Sequence, residues 1–247
     1  MQAAPFRPVQ NAGSSAFPVP PVSALFENFR DLPDRSRALD SYRRVADGYD
    51  DTCGRIEAIR LRAIAELAPA AGERVLDVAC GTGATLPVLA RAVGPGGEVI
   101  GIEQCPEMAA QARARARSDS RCAPLRVIER AVEEVPATEA PADAILMCWT
   151  HDVLQSPAAL DALVALARPG ARIAIAGMIT LPWAWGWPVN AVNLFRARHY
   201  MTTWANLDRP WRGLEARGAR LRMVRRALWG TAYVAVGNLP DGSGSAP

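Results

Sequence analysis

The run Leu76-Asp77-Val78-Ala79-Cys80-Gly81-Thr82-Gly83 is the stretch of this sequence best suited to holding a charged small molecule. Gly81 and Gly83 let the backbone take positive φ and let a ligand approach closely. A helix starting just after them would point free N–H groups and its positive dipole end at a carboxylate or phosphate. Asp77 suits an ammonium group. Glu103 follows after a spacing of about 20 residues, where a carboxylate can accept both hydroxyls of a ribose. A second constellation is Cys148-Trp149-Thr150-His151-Asp152. His151, near the ordinary histidine pKa of about 6.5, can take a proton at neutral pH and is the candidate base. Its bland alternative is a helix cap or a bond to a backbone carbonyl. Asp152 could orient the ring, although adjacent side chains rarely face each other.

These residues need a scaffold, and strand-like and helix-like segments alternate around them. Helices are expected over 36–46 and 56–67, where Ile56, Ile59, Ile64 and Leu67 recur at helical spacing. Then come a strand at 74–78, a helix at 84–93, a strand at 98–102, a helix at 106–117 and strands at 125–129 and 144–149. A helix at 157–167 and a strand at 172–176 follow. Gly94-Pro95 and Pro169-Gly170 punctuate helix ends. Short apolar strands alternating with helices specify a mostly parallel sheet covered on both faces. After Gly177 the pattern changes to a Trp-rich insertion over 181–212. Two strands, 221–228 and 232–236, then close around Gly230 and must be antiparallel neighbours, because a parallel pair needs a long crossover. The fold class is therefore α/β: a Rossmann-like, seven-stranded, mostly parallel sheet ending in an antiparallel hairpin, with the insertion as a lid. The domain spans 36–238, between a Pro/Ala-rich flexible arm (1–35, its end anchored by Phe26 and Phe29) and a Gly/Ser tail (239–247).

Composition narrows the classes further. The 247 residues are half apolar, with a net charge of +3 and no lysine. That charge is too small to imply a nucleic-acid partner. Five cysteines without a C-x-x-C pair, and two histidines, argue against both a disulfide framework and a zinc site. No secretory signal or spanning apolar run is present, so a reducing cytoplasm is the expected compartment.

The loop and Glu103 alone fit either a dinucleotide or S-adenosylmethionine. The dinucleotide fingerprint needs a third glycine where Leu86 stands, and a Walker loop needs the absent lysine. Val75 to Gly83, followed by Val99-Ile100-Gly101-Ile102-Glu103, resembles the class I S-adenosylmethionine-dependent methyltransferases, and most of all the ubiquinone/menaquinone-biosynthesis C-methyltransferases and their small-molecule relatives. The resemblance covers about 42–176. Val45-Ala46-Asp47-Gly48-Tyr49-Asp50 is similar to that group's A-x-x-Y-D segment, which implies that Tyr49 lies over the cofactor. Leu166 to Arg172 resembles the turn into the fifth strand. Two departures stand out: Ala79 replaces a common first glycine, and Ala131 replaces an aspartate that accepts from the adenine amino group, leaving backbone contacts from Ala131 and Val132. The implied cofactor-binding set is Tyr49, Asp77, Ala79, Cys80, Gly81, Gly83, Glu103, Gln104, Ala131, Val132, Cys148 and Trp149. No metal is expected.

Five tryptophans fall in or at the insertion, and an aromatic lid over the substrate would exclude water from methyl transfer. Its expected members are Trp183, Trp185, Trp187, Phe195, His199, Tyr200 and Trp204, with Trp211 beside them. Burial of these rings on the domain or in a dimer is the alternative. So is membrane contact, since Trp-Ala-Trp-Gly-Trp near Arg196 and Arg198 resembles an interfacial anchor. The expected function is methylation of a small, largely apolar or aromatic metabolite, quinone-like or secondary, by a monomer or homodimer. The rivals are a phospholipid or amine N-methyltransferase needing no base, an NAD(P)-dependent oxidoreductase, and a cofactor-binding subunit that does not catalyse.

Overall fold

The computed structural model describes residues 30–116, 121–136 and 141–241. Seven strands form one sheet: β1 (Arg74–Val78), β2 (Glu98–Ile102), β3 (Leu125–Ile128), β4 (Ala142–Cys148), β5 (Ala167–Met178), β6 (Arg220–Ala227) and β7 (Ala232–Asn238). Their spatial order is β3-β2-β1-β4-β5-β7-β6. The first five are parallel neighbours, while β7 runs antiparallel to both β5 and β6. The last strand, not the sixth, therefore lies next to β5, and β6 forms the edge.

The helices are α1 (Arg35–Val45), α2 (Tyr49–Thr52), α3 (Gly54–Leu67), α4 (Leu86–Val93), α5 (Pro106–Arg115), α6 (His151–Leu154), α7 (Pro157–Ala165), α8 (Trp183–Ala197) and α9 (Arg212–Glu215). Local chemistry sets their ends. Asp34 caps α1 by accepting from the Arg37 N–H at 3.1 Å, and Ser156 caps α7 from Ala159 at 3.3 Å. Pro106 and Pro157 open α5 and α7, where a missing N–H costs nothing. Gly94, at φ 64°, closes α4.

Alternation along the central strands divides the core in two. Ile145, Met147, Ile173 and Ile175 face Leu160, Leu163, Trp211 and Leu214. Their neighbours Ala144, Leu146, Ala174 and Ala176 face Ile64, Leu67, Leu86 and Leu89 on the other side. Each fully buried Leu or Ile contributes roughly 1.5–3 kcal/mol, so both faces must stay covered.

Several expected boundaries move. Residues 30–34 belong to the fold: Asp34 donates its N–H to Thr202 Oγ1 at 2.8 Å, and Thr203 Oγ1 donates to the Arg30 carbonyl. The rest of the expected arm, with Phe26 and Phe29, lies outside the described residues. At the other end Leu239 is buried and bonds Ala171, and the Pro240 carbonyl accepts from Gly170, so the tail starts later than 239. The Arg168-Pro169-Gly170 run, expected to separate a helix from a strand, lies inside β5. Pairing with β4 jumps from Ala142↔Ala167 to Ala144↔Arg172, and the intervening residues bulge out of register.

Candidate active site

The glycine loop leaves β1 with three residues in the left-handed region: Ala79 at φ 52°, Gly81 at 58° and Gly83 at 79°. The two glycines do different jobs. A Cβ on Gly81 would meet nothing, so the space there is open to a ligand. A Cβ on Gly83 would stand 2.9 Å from Ala112 Cα and Cβ. The missing side chain at Gly83 therefore lets the loop pack against α5. Ala79 adopts a glycine-like conformation with a methyl group attached, which accounts for glycine being common there.

Both acids lie at the carboxyl ends of their strands. Asp77 is buried and accepts a hydrogen bond from the Thr85 hydroxyl. Burial pushes its carboxyl up to about 7, against the pull of Thr85 and of the Arg60 charge. Glu103 accepts from the Gly81 N–H at 2.9 Å and the Cys105 N–H at 2.8 Å. Burial raises its carboxyl, and those N–H groups oppose the rise. Each Glu103 oxygen keeps a second lone pair for a hydroxyl.

Three cavities run along this edge of the sheet. The first, about 80 Å³, is lined by Tyr49, Arg60, Asp77, Cys80, Gly81, Glu103 and Cys148, among others. The second, about 210 Å³, continues from it through Ala79, Gln104 and Asp152 and is lined by Ala131, Val132 and Glu133. The third, about 340 Å³, is predominantly apolar. It shares Tyr42, Tyr49, Trp149, Thr150, His151 and Tyr200 with the first. The three tyrosines pack with centroids 6.2–6.3 Å apart and form the common wall. Tyr49 is fixed from below: Asp50 accepts from Thr82 Oγ1 at 2.7 Å and pairs with Arg115, which also donates to the Thr82 carbonyl. The Tyr-Asp segment is thereby clamped to the glycine loop.

At the junction of the first and third cavities, Trp149 Nε1 and Thr150 Oγ1 are buried with no hydrogen bond among the described residues, and the buried His151 ring lies against the Ala205 backbone. Trp149 sits at φ 63°, a strained setting for a bulky side chain. Unpaired polar atoms and strain at one point mark a place built for a ligand. Burial holds the His151 imidazole down to about 4, so it is neutral at physiological pH. The expectation of a pKa near 6.5 is corrected: His151 can accept a hydrogen bond but is a weaker base than its residue type suggests. Asp152 does not orient it. That carboxylate accepts from the Thr202 N–H at 3.0 Å and from Thr202 Oγ1 at 2.6 Å.

The lid expectation is also corrected in part. Among its residues only Tyr200 lines a cavity, joined by Asn193, Arg196, Ala197 and Met201. Trp183, Trp185 and Trp187 are about 60% exposed and line none. Phe195 is exposed under Arg198, whose guanidinium lies 3.6 Å from its centroid. His199 is exposed, Trp204 is half-buried away from the cavities, and Trp211 is core, 4.9 Å from the Tyr233 ring. Arg60 and Glu133 were not anticipated. Arg60 stood out in one respect: it continues the Ile56, Ile64, Leu67 row, placing a charge on the apolar stripe of α3. Glu133 supplies a carboxylate to the cavity where Ala131 lacks one.

A Rossmann-like sheet closed by an inserted antiparallel strand, with acids at the ends of β1 and β2, is the class I methyltransferase fold. Residues 75–170 match the family described as a methyltransferase domain. The ubiquinone biosynthesis O-methyltransferase of Xylella fastidiosa is 32% identical over 147 residues, covering 56% of this chain and 58% of that protein. An arsenite methyltransferase of Halobacterium salinarum is 31% identical over 142 residues, covering 57% of this chain and 34% of its own length. This chain thus spans only about a third to three-fifths of those relatives. A S-adenosylmethionine-dependent methyltransferase from Aquifex aeolicus shares the fold, with a TM-score of 0.53 at 22% identity over 73% of this chain and 89% of that one. Residues 75–170 thus match a methyltransferase domain, set on the fold that S-adenosylmethionine-dependent methyltransferases share.

Proposed function

We propose that this protein transfers a methyl group to a small, largely apolar or aromatic metabolite bound in the third cavity. The observation that carries this reading is the pair of unpaired buried polar atoms on Trp149 and Thr150, beside the buried His151 ring and set between an acid-lined cavity and a larger apolar one. The cofactor supplies a methyl already activated on sulfonium. The protein's part is to bind, orient and exclude water, which can lower a barrier by roughly 7–11 kcal/mol in well-aligned systems.

In this reading the second cavity takes the adenine, with backbone groups of Ala131 and Val132 at its edge and Glu133 available to accept from the amino group. Glu103 takes the ribose hydroxyls. Asp77 holds the ammonium and Arg60 the carboxylate of the methionine part, so each charged group meets its opposite in a buried setting. Tyr49, with Tyr42 and Tyr200, separates cofactor from acceptor. Thr150 and His151 position the acceptor's polar atom, and His151 receives its proton when that atom is a hydroxyl. An amine acceptor is the second reading, favoured by the tyrosine wall, whose ring faces attract cations.

Calorimetric titration with S-adenosylmethionine, S-adenosylhomocysteine and NAD, repeated on Glu103→Ala, tests the cofactor assignment. Binding of NAD alone would overturn it. Decarboxylated S-adenosylmethionine tests Arg60: wild type should bind it more weakly than the parent compound, and Arg60→Gln should not distinguish the two. For the acceptor, His151→Ala should lower turnover with a hydroxyl substrate, toward the low end of the about 10²–10⁴-fold range because the imidazole is a weak base, and leave an amine substrate nearly unaffected.

A further inference from the structure

Helix α8 is inverted with respect to water. Its buried residues are Gly186 and Asn190, while Trp183, Trp185, Trp187, Val189, Val192 and Phe195 are all among the exposed large apolar side chains of the fold. No charged residue occurs on it before Arg196. The inward stripe is fixed by sterics and polarity. A Cβ on Gly186 would lie 2.3 Å from Leu181 Cβ, and the Asn190 amide bonds both the N–H and the carbonyl of Leu181 at 2.9 Å. The helix is therefore held in place by its polar side. Beside it, the turn between β6 and β7 carries Leu228 at 40% and Trp229 at 98% exposure, and Gly230 of that turn abuts Leu181.

We propose that α8 and this turn form a docking face for an anionic lipid surface, from which the third cavity takes its acceptor. Charge selects this occupant. Residues 178–207 and 216–240 contain no Asp or Glu. Arg196 on α8 and Arg226, which donates to the Gly230 carbonyl of the turn, have no carboxylate partner among the described residues. A second copy seated here by two-fold symmetry would bring arginine rims against each other, whereas anionic headgroups neutralise them. Tryptophan with arginine is also the pairing that suits the headgroup boundary. Among the described residues no helix is long and apolar enough to cross a membrane, so the face lies on the surface and does not span it. The face is continuous with the cavity, because Asn193, Arg196, Ala197 and Leu228 line the latter. Docking itself does not depend on the methyl-transfer reading, and its test can fail or succeed separately.

The test is flotation of the full chain with phosphatidylcholine vesicles containing about 30% phosphatidylglycerol, or none, at low and high salt. Wild type should float with the anionic vesicles, several-fold less with the neutral ones, and less again at high salt. Trp183→Ser/Trp185→Ser/Trp187→Ser should lower partitioning at least about tenfold, and Trp229→Ser, on a fully exposed side chain, several-fold. Both should keep S-adenosylhomocysteine binding, which reports an intact fold. Wild type remaining at the bottom, or either variant floating as well as wild type, overturns the proposal. So does sedimentation showing a dimer that the tryptophan variants dissociate.

Discussion

At the scale of single residues, the two loop glycines give a sharp contrast. Gly83→Ala combines a left-handed φ with contacts near 2.9 Å to Ala112, and overpacking of this kind costs about 1–3 kcal/mol beyond the backbone strain. It should lower the unfolding free energy by about 2–4 kcal/mol in urea titration. Gly81→Ala carries strain alone, on the order of 1–2 kcal/mol, but places a methyl in the first cavity and should weaken cofactor binding. Equal stability losses in the two variants would contradict the division of roles. Asp77 makes a pH prediction. Its folded pKa of about 7 lies above the ordinary 3.8, so the apoprotein is stabilised by the protonated form. That contribution is full below about pH 4 and is lost as pH rises through 7. A cationic ligand needs the ionised form, so binding of S-adenosylmethionine should release a proton and weaken by up to about tenfold for each unit below pH 7. Calorimetry in buffers of different ionisation enthalpy measures the release, and Asp77→Asn should abolish it. His151, held near 4, should contribute no inflection to activity between pH 6 and 8. The residue types in the loop were legible from the sequence, but the His151 environment was not, because burial by a segment some fifty residues away leaves no local signal.

At the scale of elements, the strands and helices that carry the cofactor pocket could be read from periodicity, since central strands buried on both faces are continuous apolar runs. The insertion was legible only as aromatic-rich. Composition gave α8 its tryptophans but not its direction. The inward face is chosen by Gly186 and Asn190, small and polar residues that a hydrophobic-stripe argument assigns to solvent. Asn190→Ala should leave the Leu181 N–H and carbonyl buried and unpaired, at about 1–3 kcal/mol for each group. The measurable result is a stability loss of about 2–4 kcal/mol with α8 amides exchanging faster than those of β4 or β5. Unchanged exchange in α8 would mean that the helix is held by something other than this pair of bonds.

At the scale of the whole molecule, alternation of strands and helices fixed the sheet's class, and the short β6–β7 connection required an antiparallel ending. The placement of β7 between β5 and β6 depends on long-range pairing that no local pattern encodes. The same holds for the junction at Thr202. Its hydroxyl accepts from the Asp34 N–H at the start of α1 and donates to Asp152 of α6. Tyr42 of α1 and Tyr200, two residues before Thr202, both line the wall shared by the first and third cavities, and the Tyr42 hydroxyl donates to the Tyr200 carbonyl at 3.2 Å. One hydroxyl thus ties together the segments that carry two of the three wall tyrosines. Occupancy of the two cavities should then be coupled, each ligand tightening the other by one shared factor, commonly about 5–150-fold in coupled sites. Thr202→Val should lower that factor, bringing the two ligands nearer to binding in mutual ignorance.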